Sequence, residues 1–165
     1  MTPPGGATAI SFGRRGSNFA AYGKPTPEDT AAIERADLII STGCVGYATE
    51  TSLERLLEPS RETHPWMAHL VLRMFDFGPS EEMLSRHGYV TEKLDGLFRQ
   101  RRFASAEERQ HVLDNLGRLG VDAGGAEENG WYFAELHVAR PEDVARSMPL
   151  DEILKGGARE IALPL

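Results

Sequence analysis

The chain has 165 residues, 41% of them apolar and 26% charged, which bounds it to about one globular domain with one sizeable core and argues against wholesale disorder. One cysteine, Cys44, rules out an intramolecular disulfide and with it a secreted disulfide scaffold. The net charge of −7 argues against broad nonspecific binding to nucleic acid or anionic membrane; a local basic patch stays compatible with it.

Residues 1–25 are rich in glycine and proline and read as a flexible N-terminal arm, with Ala9–Phe12 as a possible short strand. They carry no apolar signal core, and no run approaches the roughly 18 apolar residues of a spanning helix, so a cytoplasmic, soluble protein is expected. A helix starts at Thr26, the N-cap, with Pro27 at its first position and Asp29 completing a capping box; it is expected to run to about Arg35. Leu38–Ile40 reads as a short buried parallel strand, followed by the loop Thr42–Tyr47. Thr49–Leu57 places Leu53, Leu56 and Leu57 on one helical face. Trp66–Phe77 is expected as a second central strand. Gly78–Pro79 opens a helix that exits at Gly88.

Tyr89–Leu94 is a third strand. After the turn signal Asp95–Gly96, Leu97–Phe103 continues as strand, either as a hairpin arm or beyond a kink. Ser105–Glu108 reads as a capping box for a helix that carries Val112, Leu113, Leu116 and Leu119 and stops near Gly120. Trp131–Ala139 is a strong strand with Glu135 and His137 interleaved. One short helix is expected near Asp151–Lys155. The chain thus divides into an arm (1–25), an α/β domain (26–141) and a C-terminal tail (142–165). Alternating helices and strands favour a partly parallel α/β sheet with an antiparallel later part.

Ligands in open α/β sheets bind beyond the carboxyl ends of strands. After the first strand that end offers Ser41, Thr42, Gly43, Cys44, Gly46 and Tyr47. Glycines admit close backbone approach, and hydroxyls and the Tyr47 ring can bond or stack. A tight turn that needs glycine for its dihedrals is the competing reading. Cys44 is a candidate nucleophile of a small hydrolase, but no histidine stands in a catalytic signature with it, and a small, buried or half-buried cysteine is the plainer reading.

The five histidines, His64, His69, His87, His111 and His137, form no metal motif. Among the carboxylates Glu50, Asp76, Glu92 and Glu135, Asp76 is placed at a strand end and so near the same sheet edge as Tyr47. Arg99, Arg101 and Arg102 form the basic cluster. Alternation puts Arg99 and Arg101 on one face and Gln100 and Arg102 on the other; an acidic substrate or a partner would suit the cluster, and the charged protection of a solvated edge strand is the plainer reading. No phosphate-loop motif is present.

The stretch Ala36-Asp37-Leu38-Ile39-Ile40-Ser41-Thr42-Gly43-Cys44-Val45-Gly46-Tyr47-Ala48-Thr49-Glu50, with Trp66–Phe77, Phe98–Phe103 and Gly130–His137, resembles the C-terminal half of class I S-adenosylmethionine-dependent methyltransferases. The resemblance covers about residues 36–140. It implies an incomplete Rossmann-like methyltransferase sheet of mixed parallel and antiparallel strands with flanking helices. Asp37–Ser41 would be the fourth strand, Trp66–Phe77 the fifth, Tyr89–Phe103 the antiparallel region and Trp131–Ala139 the closing strand. It implies S-adenosylmethionine as cofactor, contacted by Thr42 and Gly43, and an unknown small-molecule substrate contacted by Tyr47 and Asp76, with no metal. The strand–helix units that carry the family's glycine-rich loop and its ribose-binding acid do not fit into the 35 residues before Ala36. A truncated or divergent enzyme is therefore expected, weak or inactive alone. The alternative is a non-catalytic module that dimerises or pairs with a partner chain supplying the missing half. Neither nucleic acid nor membrane is expected as a partner.

Overall fold

The computed structural model describes residues 26–42 and 50–160. The first helix, α1 (Pro27–Ile33), begins at the expected capping box: the Thr26 hydroxyl accepts from the Asp29 amide at 3.1 Å, and the Asp29 carboxylate accepts from the Thr26 amide at 3.0 Å. Then come β1 (Leu38–Thr42), α2 (Glu50–Leu57) and β2 (Trp66–Leu72). They are followed by α3 (Gly78–Arg86), β3 (Tyr89–Lys93), β4 (Phe98–Arg102) and α4 (Ala106–Leu119). A 3-10 turn at Glu127–Asn129 precedes β5 (Trp131–Pro141), and α5 (Glu142–Ser147) and α6 (Leu150–Glu160) close the chain.

The elements assemble into an α/β fold with a mixed open sheet. β1 and β2 are parallel neighbours, as two strands joined through a helix must be when both point the same way. The long β5 pairs antiparallel to β2 on one side and to both β3 and β4 on the other. The spatial order is β1-β2-β5-β3, so the last strand in sequence sits inside the sheet. β3 and β4 do not form a hairpin. They lie end to end along one edge of β5, joined by the Leu94 amide donating to Leu136 O at 2.9 Å and by a kink at Gly96, whose φ of 112° glycine adopts without strain. The antiparallel strand of the sheet is therefore β5, and Tyr89–Phe103 runs in the direction of β1 and β2.

Each sheet face has its own core. On one face Ile39, Met67, Val71 and Ala139 meet Leu53, Leu56 and Leu57 of α2 and Met83 and Leu84 of α3. On the other, Val112 and Leu116 of α4 cover Tyr132, with Phe103 and Leu72 packed alongside. Fully burying a leucine or valine contributes about 1.5–3 kcal/mol, so these helical stripes hold α2–α4 against the sheet. The Ser105 hydroxyl caps α4 by accepting from the Glu108 amide at 3.1 Å. The reciprocal half of the box is rerouted: the Glu108 carboxylate takes the Ala104 amide at 2.5 Å and Arg101 at 2.6 Å. Gly120 ends α4 with φ 69°, the left-handed conformation expected of a C-terminal glycine.

Three sequence expectations need correction. β2 stops at Leu72 rather than Phe77, because the backbone turns there, the Phe75 amide donating to Leu72 O at 2.9 Å; the Arg73 side chain at this turn reaches the buried Glu127 carboxylate and Asp122 O, both at 2.7 Å. Asp76 consequently sits in the turn before α3 and not in a strand. The tail from residue 142 holds two helices where one was expected. It is fastened to the sheet by Arg140, whose side chain is 1% exposed and donates to Met148 O at 2.5 Å and to Glu92.

Candidate functional site

Parallel pairing brings the carboxyl ends of β1 and β2 together, with Ser41 opposite His69 and Thr42 opposite Leu70. Alternation along β1 puts Ile39 and Ser41 on the face that packs under α2 and α3, and Thr42 on the other. On the α2–α3 face a polar row crosses the sheet. Ser41 Oγ and His69 Nδ1 share a hydrogen bond of 2.7 Å whose direction follows the imidazole tautomer. His69 stands opposite His137 across the β2–β5 ladder, and the Phe77 ring lies against both, 5.5 Å from His69 and 4.5 Å from His137 between centroids. The Glu135 carboxylate is 4.0 Å from His137 Nε2 and 3.1 Å from Lys93 Nζ.

Burial decides the protonation states. His69 has no exposed surface, and desolvation, helped by the neighbouring His137, lowers its pKa to about 4. Its Nε2 is buried without a partner, as are Tyr89 OH and Thr91 Oγ1 on the same face. Desolvation also lowers the pKa of His137, against the pull of Glu135, and raises that of Tyr89 to about 12. Both imidazoles are neutral at pH 7.

A cavity of about 500 Å³ opens beyond the end of β2, lined among others by Phe75, Asp76, Thr91, Lys93, Glu135 and His137. It brings acids, an ammonium, a neutral imidazole and an aromatic wall together, which suits binding and proton transfer with a small polar molecule.

Of the carboxylates singled out in the sequence, Asp76 and Glu135 line this cavity. Thr42 ends β1 on the opposite face from Ser41 and does not line it. Gly43, Tyr47 and Cys44 lie outside the described residues, as does the N-terminal arm. His69, His137 and Lys93 carry much of the polar row and were not selected from sequence as site residues, although Met67-His69-Val71 already shows a histidine at a core-facing strand position. Among the described residues no group of three or more His, Cys, Asp and Glu is placed to hold a metal ion, and no helix is long and apolar enough to cross a membrane.

Asp76 also has a structural role: its Oδ1 accepts from the Gly78 amide at 2.9 Å and so holds the first turn of α3. Asp76→Ala is expected to cost about 1 kcal/mol in denaturant unfolding. Asp76→Asn keeps the acceptor and is expected to unfold like the wild type. Equal loss in both would show that the charge, not the cap, stabilises the turn.

No protein-family model matches the chain, and no curated protein sequence matches it.

Proposed function

We propose that this chain is a truncated or divergent S-adenosylmethionine-dependent methyltransferase, whose described residues form the acceptor side of the site in an incomplete Rossmann-like sheet. The observation that supports this most is the cavity's place: it lies beyond the carboxyl end of β2, in a sheet whose two parallel strands are followed by an antiparallel one. The resemblance puts the cofactor and substrate at the carboxyl ends of these two parallel strands; its antiparallel region was expected at Tyr89–Phe103, whereas the antiparallel strand of the sheet is β5.

The residues fit half of the cofactor. Thr42 stands at the end of β1, where the resemblance puts cofactor contacts, with Gly43 next in the chain. An acid on a preceding strand, needed for the ribose hydroxyls, has no counterpart among the described residues, where β1 is the edge of the sheet. The cofactor supplies an electrophilic methyl group. What this chain contributes is the acceptor's surroundings. The cavity orients the acceptor, Phe75 and Phe77 limit water, and neutral His137, with Glu135 beside it, can take up the proton the acceptor loses.

Calorimetric titration with the demethylated cofactor, S-adenosylhomocysteine, tests the reading. Weak, saturable, one-to-one heat with a Kd between micromolar and millimolar is expected. Its absence at millimolar ligand would overturn an enzyme that works alone.

One observation favours a second reading, a partner-binding or dimerising module. The outer edge of β1 has no strand beside it among the described residues, and Ile40 on it is 47% exposed. Such an edge accepts another strand through backbone hydrogen bonds. A chain that sediments as a stable dimer and gives no heat with the cofactor product would favour this module over the enzyme.

A further inference from the structure

The basic cluster on β4 does not follow simple alternation. The β4–β5 register pairs Arg99 with Phe133 and Arg102 with Trp131, and it shifts between them. This irregularity brings Arg99 and Arg102 to the same indole. Their guanidinium carbons lie 4.6 and 4.7 Å from the Trp131 ring centroid. Arg101 goes instead to Tyr132, at 4.7 Å, and is neutralised by two hydrogen bonds to Glu108.

Arg99 and Arg102 therefore differ from Arg101. Both are exposed, and among the described residues neither has an ion-pair partner, in a chain of net charge −7. Two like charges, 4.6 and 4.7 Å from one ring centroid, raise the local positive potential, which a bound anion lowers. The indole limits the freedom of both side chains before any ligand arrives, which lowers the entropy lost on binding. Planar guanidinium groups match tetrahedral phosphate oxygens in pairs. Protection of an edge strand needs charge alone and does not explain the gathering of two guanidiniums on one tryptophan.

We infer that Arg99 and Arg102, held on Trp131, form a binding site for a phosphate group, either free or as a monoester on a small molecule. Trp131, Phe133 and Glu135 share one face of β5. At the usual rise of a strand the fork is roughly 13 Å from the acid of the cavity. A phosphomonoester of that length can place its phosphate on the fork and its body towards the cavity. The inference does not depend on methyl transfer.

The test follows the indole N–H signal of Trp131 and the arginine side-chain signals by NMR, at constant ionic strength, as inorganic phosphate is added. Saturable shifts at Trp131, Arg99 and Arg102 are expected in the millimolar range. Arg99→Gln with Arg102→Gln should weaken binding about tenfold or more, and Arg101→Gln should change it less than about twofold. Replacing both Arg99 and Arg102 by lysine keeps the edge charge but not the fork, and a several-fold loss is expected. Phenyl phosphate binding more tightly than inorganic phosphate assigns the site to monoesters; equal affinity assigns it to free phosphate. The inference is overturned by shifts that do not saturate, by a lysine pair that binds as well as the wild type, or by affinity for oligothymidylate that rises steadily with its length.

Discussion

Arg140→Ala is expected to lower the stability of the chain by about 3 kcal/mol, a fall in Tm of roughly 6–12 °C. The guanidinium is buried among three groups, two of them, Glu92 and Trp66, from distant parts of the chain. It donates to Met148 O at 2.5 Å and to the Glu92 carboxylate, and it lies 5.3 Å from the centroid of the Trp66 ring. Truncation leaves the Met148 carbonyl without its donor, opens a void beside Trp66, and removes the partner of Glu92. The Glu92 side chain is 38% exposed and can turn to water, which keeps the cost at the lower end of the range for a broken buried pair. Arg140→Lys is expected to recover less than half of the loss, because one ammonium cannot serve both acceptors with the guanidinium's geometry. Limited proteolysis adds a local readout: cleavage near Ser147–Leu150 should rise in Arg140→Ala more than elsewhere, since the arginine fastens that turn. An Arg140→Ala chain within about 0.5 kcal/mol of wild type would mean that the buried cation does not hold the tail.

The wild-type chain is expected to lose about 3 kcal/mol of stability through His69 as pH falls from about 6.5 to about 4. The sign follows from the two states. Unfolded His69 takes up a proton near pH 6.5, whereas folded His69 takes it up only near pH 4, because burial penalises the imidazolium and His137 stands beside it. Between those values the unfolded chain binds more protons, so stability rises with pH and is fully present above about 6.5. The pKa of His137 is lowered as well and adds in the same direction. His69→Gln retains a hydrogen-bonding group towards Ser41 and removes the titration. Urea unfolding of both chains across this range should show a flatter pH dependence in the variant. Parallel curves would contradict the buried, neutral His69 on which the polar row rests.

Local elements were legible because local residues determine them. Thr26 and Asp29 set the start of α1, Ser105 the start of α4, and Gly120 its end, and all three are within a few residues of what they control. The apolar stripe of α2 likewise names its own buried face, and in α4 Val112 and Leu116 are buried as expected while Leu119 is exposed. What was not legible depends on partners far along the chain. Placing β5 between β2 and β3 requires contacts across about 50 to 70 residues, and no pattern within Trp131–Pro141 names its neighbours. The same distance hides Arg140: an arginine in a strand reads as exposed until Glu92, 48 residues earlier, is found beside it. Arg73 similarly finds its partner in Glu127, 54 residues later.

The site divides in the same way. The carboxyl edge of the first strands was readable from the order of elements; Asp76 was expected at a strand end and instead lines the cavity from the turn before α3. His69 and His137 needed the antiparallel register of β2 with β5 to become one cluster under Phe77. The grouping of Arg99 with Arg102 needed the register shift of β4, which overrides the period-two expectation.

The most direct test of the proposed function is an amide NMR titration of the isotopically labelled chain with S-adenosylhomocysteine. The expected result is saturable shifts that gather at the carboxyl ends of β1 and β2, at Thr42 and the residues that follow it and at Asp76–Gly78, spreading to His137 across the sheet. No shifts at millimolar ligand, or shifts confined to surfaces remote from those strand ends, would contradict a cofactor-linked site at this edge of the sheet.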